Sequence, residues 1–382
     1  MNMDRFGEIV EEINKNLGCT NQNWLFGAGI SHNANVPLMI SLTERVAAML
    51  PEDETKSIYE GITEDLHNNF HIEHVLSHLG DHIAIAERSK HQKTTINGNS
   101  YEAIKLRKLH STIIESIGET VRYGYRKFNI DGEDSEEIGS MNKPIIKIDD
   151  HLSFAETLLE THANLLKRSS ITIFTTNYDT LIEDAFSLIN VEVNDGFVGA
   201  AIGFWKPELS YKKQTGINVV KLHGSVDWIS DEHKGLLRTR YGTNYNLSNS
   251  EVLIYPQATK YVETQKDPFA NLFTEFRQKI NSKEDNVLIV CGYSFGDEHI
   301  NTEIYQALSQ ENNKTTLIVF AKEKNAFLEK LLDKNQFGNK VYIASSKGIY
   351  HGDNSLISRI DGESYDWWKF EGMISFLKDG EI

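Results

Sequence analysis

Apolar and polar positions alternate along the chain in patterns that predict two kinds of region. Residues 3–17 have apolar side chains at intervals of three and four, which predicts an amphipathic helix. A short apolar run at 24–26 predicts a first β-strand. From 42 to 125 the pattern is helical and polar, whereas residues 127–150 are irregular and acidic and predict an exposed loop. A further helix is predicted at 152–167.

Beyond residue 170, short β-branched runs alternate with helical patterns. Strands are predicted at 171–174, 219–222, 252–255, 287–291, 316–320 and 341–344. Helices are predicted at 179–188, 268–282, 298–310 and 323–334. Buried strands that alternate with helices indicate a parallel sheet with helices on its faces. We therefore predict an α/β fold, with a Rossmann-like parallel sheet, helices on both faces and a large helical insertion domain.

The same pattern divides the chain into three parts. Residues 1–40 and 166–350 form the Rossmann-like domain, residues 41–165 form the helical insertion, and residues 351–382 form a C-terminal tail with an aromatic helix. That helix is rich in large apolar side chains, namely Tyr365, Trp367, Trp368, Phe370, Ile374 and Phe376. Such a surface either packs on the chain's own core or forms an interface with another chain.

Composition restricts the classes of function. The 382 residues carry a net charge of −16, which argues against non-specific wrapping of nucleic acid, although a local basic patch at 238–240 leaves direct nucleic-acid binding open. The two cysteines, Cys19 and Cys291, are too few for a disulfide framework or a Cys-rich zinc ribbon. The N-terminus lacks a signal-peptide pattern, and no apolar stretch approaches the ~20 residues of a membrane span. We expect a soluble cytoplasmic protein.

Two motifs with ligand-binding potential follow predicted strands. Gly27-Ala28-Gly29-Ile30-Ser31 follows the first strand, and its glycines permit a tight turn and a close approach of backbone N–H groups to a phosphate. The dinucleotide fingerprint has a third glycine where this chain has His32. Thr176-Asn177-Tyr178-Asp179 follows the strand at 171–174, where open α/β sheets place their ligands. Asn177 or Asp179 could instead cap the next helix.

Two further motifs end later strands. In Leu222-His223-Gly224 the imidazole can act as a general base near neutral pH. Gly292-Tyr293-Ser294-Phe295-Gly296 matches the strand-to-helix turn that carries a serine nucleophile. A serine hydrolase would also need an acid and a histidine after Ser294, where only His299 and His351 follow. His299 is too close in sequence to be an easy partner and no acid is marked, so this is the lesser alternative.

Five histidines form a stripe within the predicted helical region: His67, His71, His74, His78 and His82. Two of them at i, i+4 spacing could bind a metal. They could equally form a polar helix flank, or the wall of a pocket or of an interface. Because the sequence shows no acid or cysteine that completes a ligand set, we predict no structural zinc. Were one zinc found, His71, His74 and His78 would be the suspected ligands.

The four motifs, in this order and each at a strand end, together resemble the sirtuin superfamily. Tyr178 and the run 292–301 are similar to the bacterial sirtuin-like branch that acts in antiphage defence. Ile254-Tyr255-Pro256 followed by Lys260-Tyr261 also resembles that branch. The resemblance covers about residues 20–345, and in 40–165 it extends only to general helical character.

This resemblance implies an NAD pocket and assigns its residues. The glycine loop would hold the phosphates, Asn177 and Asp179 would face the ribose and nicotinamide, and His223 would be the base. The loop that begins at Gly292 would border the adenosine half of NAD, as would Asn301. The residues implied to bind NAD are Gly27, Ala28, Gly29, Ser31, Thr176, Asn177, Gly292, Tyr293, Ser294 and Asn301.

The chain also departs from the protein-deacylating sirtuins. Those enzymes carry zinc cysteines after the catalytic histidine, but here only Cys291 lies beyond His223. Deacylation is therefore disfavoured, whereas hydrolysis of NAD to nicotinamide and ADP-ribose needs only water. The resemblance further implies antiphage defence by NAD depletion, a homo-oligomer, and control by a HerA-type ring ATPase. The alternative is a non-catalytic sensor of NAD or ADP-ribose.

Overall fold

The structure, a computed structural model, describes residues 2–130, 132–162, 171–211, 216–231, 233–240, 250–254, 267–360 and 362–380. Its helices are α1 (Asn2–Leu17), α2 (Met39–Met49), α3 (Glu54–Glu64), α4 (Ile72–Arg88), α5 (Ala103–Tyr123), α6 (Asp149–His162), α7 (Leu181–Leu188), α8 (Pro207–Ser210), α9 (Phe269–Ile280), α10 (Glu298–Ser309), α11 (Ala326–Leu331), α12 (Lys334–Phe337) and α13 (Phe370–Asp379).

The strands fall into two larger sheets and two hairpins. They are β1 (Gln22–Phe26), β2 (Lys93–Ile96), β3 (Asn99–Glu102), β4 (Tyr125–Ile130), β5 (Glu133–Ile138), β6 (Thr172–Thr175), β7 (Val193–Asn194), β8 (Phe197–Gly199), β9 (Ile202–Trp205), β10 (Ile217–Lys221), β11 (Gly224–Asp231), β12 (Gly235–Thr239), β13 (Ser250–Ile254), β14 (Asn286–Cys291), β15 (Thr315–Phe320), β16 (Val341–Ser345), β17 (Gly348–His351) and β18 (Leu356–Ile357).

The main sheet has nine strands in the order β18-β17-β16-β15-β14-β1-β6-β10-β7. All of its pairings are parallel except those of β17 with β16 and β18. Every residue of β1, β6, β10, β14 and β16 is buried, which is typical of parallel strands covered on both faces. The predicted α/β fold with a Rossmann-like sheet and additional helical regions is confirmed.

Strand order reverses between β1 and β14. From β1 the chain builds outward to β6 and β10 on one side, and it later returns to add β14, β15 and β16 on the other. The loops after β1 and β14 therefore lie side by side at the carboxyl edge of the sheet. Open α/β sheets bind ligands in the crevice that such a reversal creates.

Helices cover both faces of this sheet. One face packs against α1, α6 and α13, and its core includes Trp24, Phe154 and Phe370. The other face packs against α9, α10 and α11. Because Phe154 and Leu158 of α6 belong to the core of the sheet, α6 is part of that domain, although the predicted insertion of 41–165 includes it.

Helices α2 to α5 form a third core of their own, into which Tyr178, Leu181 and Val226 of the sheet domain also pack. The predicted helical character of 42–125 is correct apart from the hairpin β2–β3. Among the described residues, no helix is both long and apolar enough to cross a membrane.

Two sequence-based predictions of local structure are wrong. Residues 127–150 do not form one loop, because β4 and β5 pair as an antiparallel hairpin, and the Asp131-Gly132 pair between them is a typical hairpin signal. The run at 252–255 does not join the parallel sheet. Its described part lies in β13, at the edge of an antiparallel sheet ordered β13-β11-β12-β9-β8. A β-branched run predicts a strand but not its partner.

The C-terminal segment packs on the chain's own core. β17 and β18 extend the main sheet, and α13 begins at Phe370. The side chains of Tyr365, Trp367, Phe370 and Phe376 are each no more than 3% exposed. Of the two interpretations of this aromatic segment, docking onto the core is the one that the structure shows.

Candidate functional site

A cavity of about 960 Å³ opens at the point where strand order reverses. The loops after β1, β6, β10 and β14 form one side of it. Nine of the residues predicted to form the site line this cavity: Ala28, Gly29, Thr176, Asn177, Asp179, His223, Gly292, Tyr293 and Ser294. Gly27, Ser31 and Asn301 belong to the described residues but do not line it. The structure therefore brings together motifs that are more than 250 positions apart in the sequence.

Three glycines hold the loops after β1 and β14 in direct backbone contact. A Cβ atom on Gly27 would lie 2.6 Å from the carbonyl oxygen of Gly292, and one on Gly29 would lie 2.7 Å from the Cα of Gly292. Gly292 has φ +66°, and its own Cβ would lie 2.5 Å from the backbone nitrogen of Ile30. The N–H of Gly29 donates to the carbonyl of Gly292 at 2.9 Å. The close approach that these glycines permit is thus first of all between two protein loops.

Asn177 is the first member of a buried hydrogen-bonded chain. Its Nδ2 donates to the hydroxyl of Ser31 at 3.1 Å, and that hydroxyl lies 3.4 Å from Nε2 of His151. Ser31 and His151 are both fully buried. Burial lowers the pKa of His151 and so favours its neutral imidazole. The amide nitrogen of Asn177 therefore already has a hydrogen-bond partner within the protein.

The amide oxygen of Asn177 has the opposite environment. Oδ1 has no hydrogen-bond partner among the described residues, although Asn177 is only 7% exposed and lines the cavity. A buried acceptor without a partner costs free energy, and such groups in native structures call for an explanation. A ligand hydroxyl or a water molecule in the cavity can supply the missing donor.

Asp179 serves the backbone at the start of α7. Its Oδ1 accepts from the N–H of Leu181 at 3.1 Å, and its carbonyl accepts from Lys221 Nζ. The N-cap position of α7 is Thr180, which has no side-chain capping hydrogen bond, so Asp179 forms a turn just before the helix and does not cap it. Asp179 also lines the cavity. The carboxylate of Asp179 interacts electrostatically with His151, which was not predicted from the sequence. His151 belongs to no motif, and it reaches the site only through the packing of α6.

His223 lies in the short turn between β10 and β11 and is 3% exposed. Its ring stacks on that of His299, with centroids 5.8 Å apart, and His299 packs in turn on Phe273. His299 lies in the first turn of α10. The pairing of two imidazoles beside the cavity could not be predicted, because nothing in the spacing of 223 and 299 indicates contact.

The loop after β14 is held by side-chain hydrogen bonds. Asn301 Nδ2 donates to the carbonyl of Phe295 at 2.8 Å, and Asn325 Nδ2 donates to the carbonyl of Ser294 at 3.2 Å. Phe295 has φ +57°, a left-handed conformation that is uncommon for an aromatic residue. Asn301, predicted to border the adenosine, thus holds the loop after β14 through its hydrogen bond to the backbone of Phe295.

Within the described part of the chain, the structure does not assemble a serine-hydrolase triad. Ser294 lines the cavity, but His351 stacks on Tyr342 at 4.0 Å and its Nδ1 lies 2.9 Å from the carbonyl of Val341. His299 is engaged with His223. His351 is therefore held by Tyr342 and the backbone of β16, so the serine-hydrolase alternative loses that histidine as a partner.

A buried network of charges lies directly behind Asp179. Lys221 and Glu183 form an ion pair at 3.4 Å with side chains only 1% and 3% exposed. Burial raises the pKa of Glu183 to about 7, against the opposing effect of Lys221 and Arg240. Arg240 also faces the carboxylates of Asp184, Asp195 and Asp227, and Arg238 pairs with Asp195. Arg238 and Arg240 are therefore paired with acids, of which Asp195 and Asp227 are buried, and do not form a free basic patch.

The helical insertion supplies another wall of the cavity. His71, Glu73 and His74, around the start of α4, line it. The hydroxyl of Tyr178 donates to Glu73 Oε1 at 2.6 Å, so the loop after β6 is joined to the insertion by a buried hydrogen bond. Burial and the neighbouring Glu73 raise the pKa of Tyr178 well above its ordinary value. The histidine stripe is thus in part a wall of the cavity.

The C-terminal segment closes a third side. Trp368, Lys369, Phe370 and Glu371 line the cavity, and Lys322 Nζ lies 5.5 Å from the ring of Trp368. The motif residues 255, 256, 260 and 261, and the end of the helix predicted at 152–167, lie outside the described residues.

Comparisons with known proteins agree with the sequence motifs. Residues 171–340 match the model of the SIR2-like domain. No curated protein matches the chain. Similar solved structures include a Sir2 homologue in complex with NAD, with 12% identity and a TM-score of 0.43 over 96% of this chain and 92% of that one. Another is a mutant Sir2 homologue in complex with ADP-ribose, with 13% identity and a TM-score of 0.40 over 97% and 95% of the two chains.

Proposed function

We propose that this chain is an NAD hydrolase, which cleaves the bond between nicotinamide and ribose and releases nicotinamide and ADP-ribose. The observation that carries the proposal is the orientation of Asn177. Its Nδ2 is tied to Ser31, while its Oδ1 has no partner among the described residues, in a cavity that His223 also lines. The SIR2-like match at 171–340 and the order of the four motifs support NAD as the ligand.

The cavity suits a dinucleotide in size and position. Its volume of about 960 Å³ lies at the upper end of the roughly 300–1,000 Å³ that small-molecule sites occupy. It opens beside the β1–β14 reversal, where this kind of sheet binds its ligands. In the proposed arrangement the loop at Ala28 and Gly29 lies along the pyrophosphate.

Each polar residue has a definite task in the reaction. The bond to nicotinamide breaks as positive charge develops on the ribose, so the site must position the ring and stabilise that charge. Asn177 Oδ1 accepts from a ribose hydroxyl or from the attacking water. His223 takes a proton from that hydroxyl or water as a general base. Asp179 fixes the loop through its hydrogen bond to Leu181.

Water is the proposed acceptor because the sequence after His223 lacks the zinc cysteines that help to form the acyl-lysine cleft in deacylating sirtuins. No zinc module follows His223 in the sequence, and the insertion contributes His71, Glu73 and His74 to the cavity wall. A cavity that the insertion also walls favours a small acceptor over a peptide.

Release of nicotinamide by the purified chain tests the proposal directly. We expect His223→Ala and Asn177→Ala each to lower the rate by about 10²- to 10⁴-fold, the usual cost of removing a general base or a positioning group. Their effects should not add, because both residues serve one transition state. Thermal melting should show that both variants stay folded, with stability changes of about 1 kcal/mol or less.

Ser294→Ala is the matched control. It removes a hydroxyl from the same cavity, and we expect weaker NAD binding with turnover retained. A folded His223→Ala variant that still cleaves NAD at nearly the wild-type rate would show that the catalytic assignment is wrong. NAD binding without any nicotinamide release by the wild type would favour the sensor alternative.

The biological role is the less direct part of the proposal. From the sirtuin-like resemblance we infer depletion of NAD during antiphage defence, with activity controlled by self-association and by a HerA-type ring ATPase in trans. Because α13 packs on the chain's own core, its aromatic side chains do not supply that interface. Co-purification and mass measurement with such an ATPase test this part, and a monomer unaffected by the ATPase would contradict it.

A further inference from the structure

Two histidines of the stripe and one carboxylate converge away from the cavity. His78 and His82 lie four residues apart on α4, and Asp65 follows the end of α3. One ligand atom from each of the three lies within 4.8 Å of the others. The sequence alone marks no acid that completes a ligand set with the stripe. The fold supplies one from a neighbouring helix.

The contacts of these side chains leave ligand atoms available. Nε2 of His78 is buried without a hydrogen-bond partner among the described residues, and it lies 3.9 Å from Oδ2 of Asp65. Nδ1 of His82 lies 3.4 Å from the hydroxyl of Thr94, so Nε2 remains for a ligand. A histidine that binds metal commonly gives its other ring nitrogen to a protein oxygen in this way.

The remaining histidines of the stripe are differently engaged. The backbone N–H of His71 donates to Nδ1 of His74 at 3.1 Å, and the two rings lie 3.9 Å apart at the start of α4. Both line the large cavity. The stripe is therefore divided, with its first part in the cavity wall and its second part in a separate cluster.

We propose that Asp65, His78 and His82 bind a divalent transition-metal ion of the Zn²⁺ type. Two imidazoles and a carboxylate are ligands that Zn²⁺ accepts, and Zn²⁺ usually takes four, so a fourth position stays open to water. Ligands about 2.0–2.2 Å from one ion must approach more closely than 4.8 Å. The side chains of His78 and Asp65 are 32% and 40% exposed, so they can rotate without disturbing the core.

A metal at this position would join the two helices on either side of the segment 66–71. That segment leads from Asp65 directly to His71 and Glu73 in the wall of the large cavity. Binding would therefore brace the part of the insertion that faces the ligand, while the ion itself stays outside the cavity.

Titration calorimetry of the tag-free chain with Zn²⁺ tests the site. We expect saturable one-to-one binding, an increase in melting temperature with zinc concentration, and little binding of Mg²⁺, which prefers oxygen ligands. His82→Ala should weaken zinc binding at least tenfold. Thr94→Val should weaken it about tenfold, as losses around a metal ligand usually do.

His91→Ala is the control, because it removes an exposed histidine outside the cluster and should leave the affinity unchanged. Asp65→Asn, at an exposed position, serves as the second variant if His82→Ala does not fold. Absence of saturable zinc binding, or equal affinity in the wild type and in a folded cluster variant, would overturn the proposal. These readouts do not depend on NAD cleavage.

Discussion

The hydroxyl of Ser31 joins two residues that come from distant parts of the chain. It accepts from Asn177 and lies beside His151, yet it is not among the residues that line the cavity. Its effect on a bound ligand must therefore pass through Asn177. This makes Ser31 a positioning residue in the proposed reaction, although the sequence motif suggests a contact with phosphate.

Ser31→Ala tests this role. Without the hydroxyl, the amide of Asn177 can rotate, and we expect kcat for nicotinamide release to fall by up to about 10²-fold while KM for NAD changes little. Steady-state kinetics measures kcat and KM separately. Ser210→Ala is a matched control, because it removes a similarly buried hydroxyl that accepts from Gly196 N, and it should leave kcat unchanged. A Ser31→Ala variant with normal kcat would contradict the assignment.

Glu183 makes stability depend on pH. Burial raises its pKa to about 7, so the folded chain keeps this proton over a range where the unfolded chain, with an ordinary pKa near 4.5, has released it. The contribution to stability is fully present below the unfolded pKa and is lost as the pH rises through about 7. A difference of one pH unit between the folded and unfolded pKa corresponds to about 1.4 kcal/mol in the free energy of unfolding.

Glu183→Gln imitates the protonated acid, and it keeps the side chain beside Lys221, Arg240, Asp184 and Asp227. We expect the variant to match the wild type in melting temperature near pH 5 and to melt at a higher temperature near pH 8. Melting curves across this range check the expectation. Parallel curves for the two chains would show that Glu183 does not titrate in this window.

At the level of secondary-structure elements, the glycine contact between the loops after β1 and β14 gives a sharp prediction. In Gly292→Ala the new Cβ would lie 2.5 Å from Ile30 N at φ +66°. We expect the free energy of unfolding to fall by about 1–3 kcal/mol from overcrowding, plus about 1–2 kcal/mol from the left-handed backbone.

Gly7→Ala is the control for this substitution. Gly7 lies in α1 with open space around its Cβ position, so alanine there should raise stability by about 0.5–1 kcal/mol. Denaturant unfolding of both variants measures the difference. Equal stability of Gly292→Ala and the wild type would show that the two loops are not in contact.

The elements that the sequence predicts well are those with the strongest local pattern. β14, β15 and β16 are continuous apolar runs, and α9 and α10 have clear helical periodicity, so their bounds agree within about two residues with those expected. The partners of a strand are not encoded locally. For this reason β13 could not be assigned to the antiparallel sheet, nor α6 to the core of the main sheet.

The residues of the site likewise divide into those that the sequence predicts and those that it does not. Its motifs sit at strand ends, where topology alone brings them together, so nine residues of the cavity could be predicted. His151 and His299, which contact Ser31 and His223, and the wall of the insertion could not be predicted, because each is placed by packing between segments far apart in the sequence. Asp65 was not predicted beside His78, because the packing of α3 against α4, and not the spacing of the two residues, brings them together.

At the scale of the whole molecule, the C-terminal helix is part of the fold. Phe376 is 2% exposed and packs on Phe320 of β15, with ring centroids 5.9 Å apart. We expect Phe376→Ala to lower the free energy of unfolding by about 3–5 kcal/mol, as removal of a buried aromatic ring usually does. Leu188→Ala, at a position 66% exposed, should change it little. Denaturant unfolding measures both.

Sedimentation of a milder variant, Phe376→Leu, distinguishes packing within the chain from packing between chains. Because α13 packs within its own chain, we expect Phe376→Leu, a milder change, to leave the mass in solution unchanged. A stable variant whose mass falls to that of a smaller assembly would show that this aromatic face serves an interface instead.

Translation of the chain proceeds in one direction, and this gives the third wall of the cavity a consequence in time. Trp368, Lys369, Phe370 and Glu371 leave the ribosome after every other residue that lines the cavity. Domains form as the nascent chain emerges, but this cavity can be closed only when its last wall has been synthesised. Under the proposed function, a ribosome-bound chain arrested before residue 365 should therefore release no nicotinamide, whereas the completed chain should release it.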